Sequence, residues 1–255
     1  GDKNPEIRFI KSKLNKNIHL DPIKKLNSPT IIKRRYIDHI DKKKLLGVYQ
    51  LNDDSLGTSQ KKLFQSKLNK LYKSNDVFIF VDYGHGMIST EIAKKISKFK
   101  KFTSINAQIN SFNIGSQKID KYNNSNLLIV NETELRHDLR DNVSELDTMV
   151  ISLSKKIKFQ KLVITCGSEG AYLFSLKNKS LKKTYCPAFA SKIVDKIGSG
   201  DAMLSMLSIC LSLGMSDELC LFLGSIAAAK SVENIGNSYS LSKIDLLKSS
   251  NYMLK

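Results

Sequence analysis

Tryptophan is absent from the 255 residues and arginine is scarce: Arg8, Arg34, Arg35, Arg136 and Arg140 stand against 36 lysines, within a formal net charge of +17. Arginine is the usual residue for bidentate recognition of phosphates and base edges, and aromatic platforms hold single strands, so both shortages argue against a nucleic-acid surface. The charge excess reads instead as lysine on a solvated exterior. No apolar run is long either. The longest, residues 202–215, is interrupted by Ser205, Ser208 and Ser212, whereas a bilayer span needs about 20 apolar residues. Residues 1–20 are polar and lysine-rich, unlike a signal peptide. Cysteine is confined to Cys166, Cys186, Cys210 and Cys220, with no C-x-x-C spacing. Four free thiols in a cytoplasmic protein are expected, rather than disulfides or a zinc site.

What is present is a globular pattern, with 41% hydrophobic residues and no fixed repeat. Pro5 at a first helical position and Ile7, Ile10 and Leu14 on one face predict a helix over 5–15. Two β-like runs, 30–37 and 44–51, follow Pro29 and predict a two-stranded ribbon. Beyond a helix over 58–74, residues 75–86 read as a buried strand and loop and 102–108 as a strand. Residues 126–135 read as a strand running into a helix, and 161–176 as a strand, a glycine-rich turn and a second strand, with helices over 89–99 and 143–157 between them. From Gly198 the chain reads as helical, with Gly214 and Gly224 as interruptions. Such alternation argues an α/β fold with a mainly parallel sheet and helices on both faces. One domain over 1–255 is expected, with a small β appendage near 29–52.

The strongest chemical signal is DKIGSGDAM, residues 195–203. Gly198, Ser199 and Gly200 form a small turn ahead of an apolar helix, where backbone N–H groups point at an anion. Asp201 then falls in the first helical turn. It is either a capping acid favoured by the helix dipole, or a base beside a phosphate-cradling turn, the arrangement a kinase needs.

This run resembles the DTxGAGD signature of the ribokinase, or PfkB, family of carbohydrate kinases, with Lys196 in place of Thr and Ser199 in place of Ala. VNETEL (130–135) is similar to the family's N-x-x-E element, VITCGSEGAYLF (163–174) to its nucleotide-side turn, and AAAKSVENIG (227–236) to the segment closing over adenine. VFIFVDYGHGMIS (77–89) resembles the DYGKG run of heptose-phosphate kinases, with His85 in place of Lys, and TIIKRRYI (30–37) their T-x-x-K-x-R strand. NAQINSFNIGSQKIDKY (106–122) looks closer to kinase domains joined to nucleotidyltransferases. The family's opening G-D-x-x-x-D and Gly-Gly elements are not found. Asp2 reads as the remnant of a later Gly-Asp pair, so the chain is expected to start within the fold.

The resemblance implies ATP and Mg²⁺ as cofactors and a sugar or sugar phosphate as acceptor. It makes Asp201 the base and Gly198, Ser199 and Gly200 the anion hole. Thr165, Gly167, Gly170 and Gly236 would line the nucleotide, though TCGSEG is equally a turn needing glycine for positive φ. Asn131, Glu134 and Asp195 would serve the metal; Asn131 and Glu134 fit a helix capping box as well, and Asp195 a plain turn acid. Asn106, Gln108 and Asp82, at strand ends, are candidate substrate contacts. Lys33 and Arg35 share one strand face and suit a sugar phosphate or a charged edge. His85 reads as a solvated loop histidine. The ribbon suits a dimer clasp, and a nucleotidyltransferase is the other partner expected; no nucleic acid or membrane is. The alternative function is a kinase-fold module that binds nucleotide or sugar phosphate without turnover.

Overall fold

Residues 5–40, 44–109, 113–177, 180–236 and 240–254 are described by the structure, a computed structural model. Asp2, residues 41–43 of the ribbon connection and residues 110–112 of the NAQ segment therefore lie outside the described residues. The chain divides into two units, residues 1–75 with 85–92, and residues 76–84 with 93–255.

The first unit holds α1 (Pro5–Lys13), β1 (Ile32–Ile37), β2 (Lys44–Gln50) and α2 (Thr58–Ser74). The predicted ribbon forms: β1 and β2 pair antiparallel, Ile32 opposite Gln50 and Tyr36 opposite Leu46. Gln60, Phe64 and Leu68 give α2 a buried stripe at i, i+4, i+8. Residues 53–56 close on residues 85–86, where the Leu56 amide donates to the Gly86 carbonyl (3.2 Å). A Cβ on Gly86, at φ +78°, would lie 2.0 Å from the Asp54 carbonyl oxygen, so this approach requires glycine.

The second unit is built on β3 (Val77–Asp82), β4 (Phe102–Ala107), β5 (Asn124–Asn131), β6 (Lys158–Thr165), β7 (Ala171–Lys177) and β8 (Ser180–Cys186), with α3 (Thr90–Ile96) following β3 in the chain. The six strands lie side by side in chain order. β3 to β6 are parallel, and β7 and β8 add antiparallel at one edge. Helices α4 (Glu132–Leu139) and α5 (Leu146–Lys156) pack on β5 and β6, respectively. Alternation along β5 separates two cores. Leu127 and Ile129 join Met203, Leu204 and Leu207 of α6 (Ser199–Ser212) and Leu221 of α7 (Asp217–Val232), while Leu128 and Val130 are buried in the opposite direction. A last helix, α8 (Lys243–Met253), packs on α7.

Three local expectations change. The helix expected over 89–99 ends at Ile96. Gly224 does not interrupt a helix: it lies inside α7, and a Cβ there would meet Leu207 Cγ at 3.0 Å, so its hydrogen lets α6 and α7 approach. Ser208, read as a polar break, is fully buried, its hydroxyl meeting the Leu204 carbonyl (2.6 Å) and the Ser104 hydroxyl of β4 (2.8 Å). Among the described residues no helix is long and apolar enough to cross a membrane, and all four cysteines are free thiols.

Candidate active site

Two backbone turns of the second unit face one cavity. After β6 the chain makes a short 3-10 turn, Gly167–Glu169, and Gly170 (φ +95°) returns it into β7, with the Cys166 amide bonded to the Gly170 carbonyl at 2.8 Å. Gly167 (φ +60°) has open space where a Cβ would stand. The second turn is the start of α6. Its N-cap is Gly198, in the left-handed region at φ +84° and carrying no side chain to cap the helix. The first-turn amides of a helix have no acceptor within it, so those of Ser199, Gly200 and Asp201 remain for an anion. Thr165, Gly167 and Gly170 line the cavity, of about 250 Å³, together with Lys196, Ser199 and Gly200. Phe189, Ile193, Met203 and Val232 make the remainder apolar. Ser225 Oγ, on the same wall, is buried without a hydrogen-bond partner. An apolar slot with few polar points is the usual form of a small-molecule site.

Because Gly198 is the N-cap, Asp201 is not a capping residue; it sits at the third helical position. Its Oδ2 accepts a hydrogen bond from the Tyr83 hydroxyl (3.1 Å), which arrives from the loop after β3. Burial, then the negative charge and hydrogen bond of Asp201, push the Tyr83 hydroxyl up to about 12. Glu134 is buried at 6% exposure. Burial pushes its carboxyl up to about 7, opposed by the Asn131 and Ile109 amides and reinforced by the charge on Asp201. A carboxyl raised in the folded state binds more protons there than in the unfolded chain, so its contribution falls as pH rises from about 4.5 to about 7. Relative to Glu134→Gln, the wild type should lose up to about 3 kcal/mol of stability between pH 4.5 and 7.5, as read by urea unfolding in EDTA. A difference that is constant with pH would refute this.

The other predicted residues separate into groups. Asn131 and Glu134 form the capping box: Asn131 Oδ1 accepts from the Glu134 amide (2.7 Å) and Glu134 Oε2 from the Asn131 amide (2.9 Å). Asp195 ties the loop before α6 to the turn after α7, accepting from the Ile197 amide (3.1 Å) and the Gly236 amide (3.0 Å). Gly236 is therefore a turn residue, outside the cavity lining. Asn106 donates across the sheet to the Ile129 carbonyl (3.0 Å). Gln108 Oε1 is buried with no partner. Asp82, 4% exposed, does not present its carboxylate as a substrate contact: Tyr122 (2.8 Å), Lys121 (2.5 Å) and the Gly84 amide (3.1 Å) engage it. Lys33 and Arg35 belong to the first unit, on one face of β1, Lys33 above the Tyr49 ring. His85, also in the first unit, is partly buried rather than solvated, its Nδ1 2.7 Å from Asp53 Oδ1.

Sequence reasoning missed Tyr83, although the DYG run was noticed, and it missed Ser225. The one signal for Ser225 was a hydroxyl within the otherwise apolar GSIAAA face of a helix. The donor set fits Mg²⁺ only sparingly. Among the described residues no group of three or more His, Cys, Asp or Glu could hold a metal, and Asn131 Oδ1 and both Asp195 oxygens already accept backbone amides. Glu134 Oε2 likewise accepts the Asn131 amide and Asp201 Oδ2 the Tyr83 hydroxyl, so these neighbouring carboxylates suit only an ion that keeps most of its water.

Residues 48–244 match the pfkB family carbohydrate kinases. The chain belongs to that family. Its relatives include the bifunctional protein HldE of Campylobacter fetus, 28% identical over 188 residues, covering 72% of this chain and 39% of that protein. HldE of Koribacter versatilis is 24% identical over 236 residues, covering 91% and 46%. The chain thus spans less than half the length of these curated relatives. Among solved structures, Arabidopsis thaliana ribokinase complexed with ribose and ATP superposes with a TM-score of 0.62 at 18% identity, over 87% of this chain and 69% of that one. Thermotoga maritima ribokinase gives 0.65 at 18% identity, over 89% and 71%. These likenesses show the ribokinase-like fold of this pfkB chain.

Proposed function

We propose that this chain transfers the γ-phosphoryl group of ATP to a hydroxyl of a sugar or sugar phosphate, with a heptose phosphate as the first acceptor to test. The observation that carries the reading is Asp201 in the first turn of α6, whose open amides border an apolar cavity fit for a nucleobase. The base would lie against Ile193, Met203 and Val232, with Ser225 Oγ meeting one of its polar atoms. The amides of Ser199 and Gly200, with the Lys196 ammonium, would face the phosphates. Asp201 takes the acceptor hydroxyl's proton as the oxygen attacks the γ-phosphorus; the bond to the bridging oxygen breaks and ADP leaves. A bound Mg²⁺ would supply neutralisation of phosphate charge. Glu134 and Asp201 are the residues proposed to hold it through water.

The family match runs across both units, which supports reading them as parts of one kinase domain. Lys33 and Arg35, on one face of β1, are candidates to meet an acidic sugar phosphate. The first unit's ribbon, with Leu45 and Leu46 exposed, would pair with a second copy. A second reading is a nucleotide-binding module without turnover, with the same cavity as its binding site. Phosphotransfer screened over sugars and sugar phosphates with Mg·ATP separates the two: calorimetric ATP binding with no turnover on any acceptor would leave only the second. Filling the cavity with Ala228→Phe should weaken ATP binding at least about 10-fold; unchanged affinity would place the nucleotide elsewhere.

A further inference from the structure

We infer that Tyr83 is a positioning residue for the base, holding the Asp201 carboxylate in the orientation from which it takes the acceptor's proton. The inference rests on the kinase reading above and gives a role to the DYG run that the reading leaves unused. The loop after β3 is fixed from several sides. The Gly84 amide closes an Asx turn on Asp82 Oδ1 (3.1 Å), while the Tyr122 hydroxyl (2.8 Å) and the Lys121 ammonium (2.5 Å) hold Oδ2. The Asp82 carbonyl accepts from the Gln108 amide (2.9 Å) and from Gln117 Nε2 (3.4 Å), and the Tyr83 carbonyl accepts from Asn113 Nδ2 (3.3 Å). A Cβ on Gly84, at φ +73°, would sit 2.5 Å from Asn113 Nδ2.

Asp82, Tyr122 and Asn113 are all nearly inaccessible. Buried polar groups so fully engaged fix one conformation rather than add stability. What that conformation delivers is the Tyr83 hydroxyl at Asp201 Oδ2, 3.1 Å away and 118 residues on. Rotation of a carboxylate about its last bond is soft, so an unsupported Asp201 would sample misaligned orientations. The tyrosine remains protonated at working pH and only donates. It occupies one oxygen and leaves the other for the acceptor, and alignment of reacting groups is worth orders of magnitude in rate.

Tyr83→Phe removes the hydroxyl and keeps the ring of a residue that is 38% exposed. The variant should lose about 10-fold in kcat, with KM for ATP within 2-fold of wild type and an unchanged unfolding midpoint. In an Asp201→Asn background, followed by single-turnover transfer from labelled ATP, the same substitution should change the rate less than 2-fold, because the group it positions is gone. Wild-type kcat in Tyr83→Phe, or an equal 10-fold loss in both backgrounds, overturns the inference and leaves the kinase reading standing. A wild type that phosphorylates no acceptor removes that reading, and this inference with it.

Discussion

Asp201→Asn should yield a folded protein that binds ATP with near-native affinity and transfers phosphoryl groups at least about 10³-fold more slowly, since positioned proton transfer contributes about 10²–10⁴. The substitution separates two roles that the sequence alone left together. At the third helical position the carboxylate's interaction with the helix dipole is worth less than about 1 kcal/mol, so its loss shifts stability little. Asparagine preserves the shape and can still accept from Tyr83, but it cannot take a proton. Stopped transfer with retained ATP binding and an unfolding midpoint within a few degrees is the expected pattern. Turnover within 10-fold of wild type would reduce Asp201 to a first-turn acid.

The largest effect on stability is expected from Gly170→Ala. At φ +95° and ψ −141° the backbone is in a region that side chains other than glycine avoid. A Cβ there would stand 2.2 Å from the Cys186 carbonyl oxygen and 2.8 Å from Pro187 Cα, backbone atoms that cannot rotate aside. We expect about 3–5 kcal/mol of destabilisation and a thermal midpoint lower by roughly 10 °C. Gly167→Ala, three residues earlier, meets open space and bears only the strain of φ +60°, about 1–2 kcal/mol. Its cost should appear in nucleotide affinity, because its Cβ would project at the cavity. Equal midpoints for the two variants would contradict the contrast.

These cases mark what the residues alone disclosed. Gly170 and Gly198 were readable because positive φ leaves few alternatives, whereas Gly224, needed for close packing inside α7, was not; the Asn131–Glu134 spacing offered a capping box beside a metal role, and the box forms. The alternation of apolar runs disclosed the sheet but not β8, whose Lys182, Lys183 and Thr184 carry no apolar period. Asp82 misled for a physical reason: a carboxylate at a strand end looks exposed until Lys121 and Tyr122, some 40 residues away, are folded over it. Tyr83 and Ser225 escaped because their significance lies in one hydrogen bond across the fold and in one that is missing, and neither leaves a periodicity.

The sheet of the second unit has its strands side by side in the order in which they occur along the chain. Each strand pairs with the one before it in the chain, so sequence separations within the sheet stay as short as crossovers between parallel strands allow. The base follows a different schedule. Asp201 arrives on α6 only after all six strands, and it meets Tyr83 from the loop behind the first of them. Regain of secondary structure during refolding should precede regain of that contact, so phosphoryl transfer, not circular dichroism, is the measure of a finished molecule.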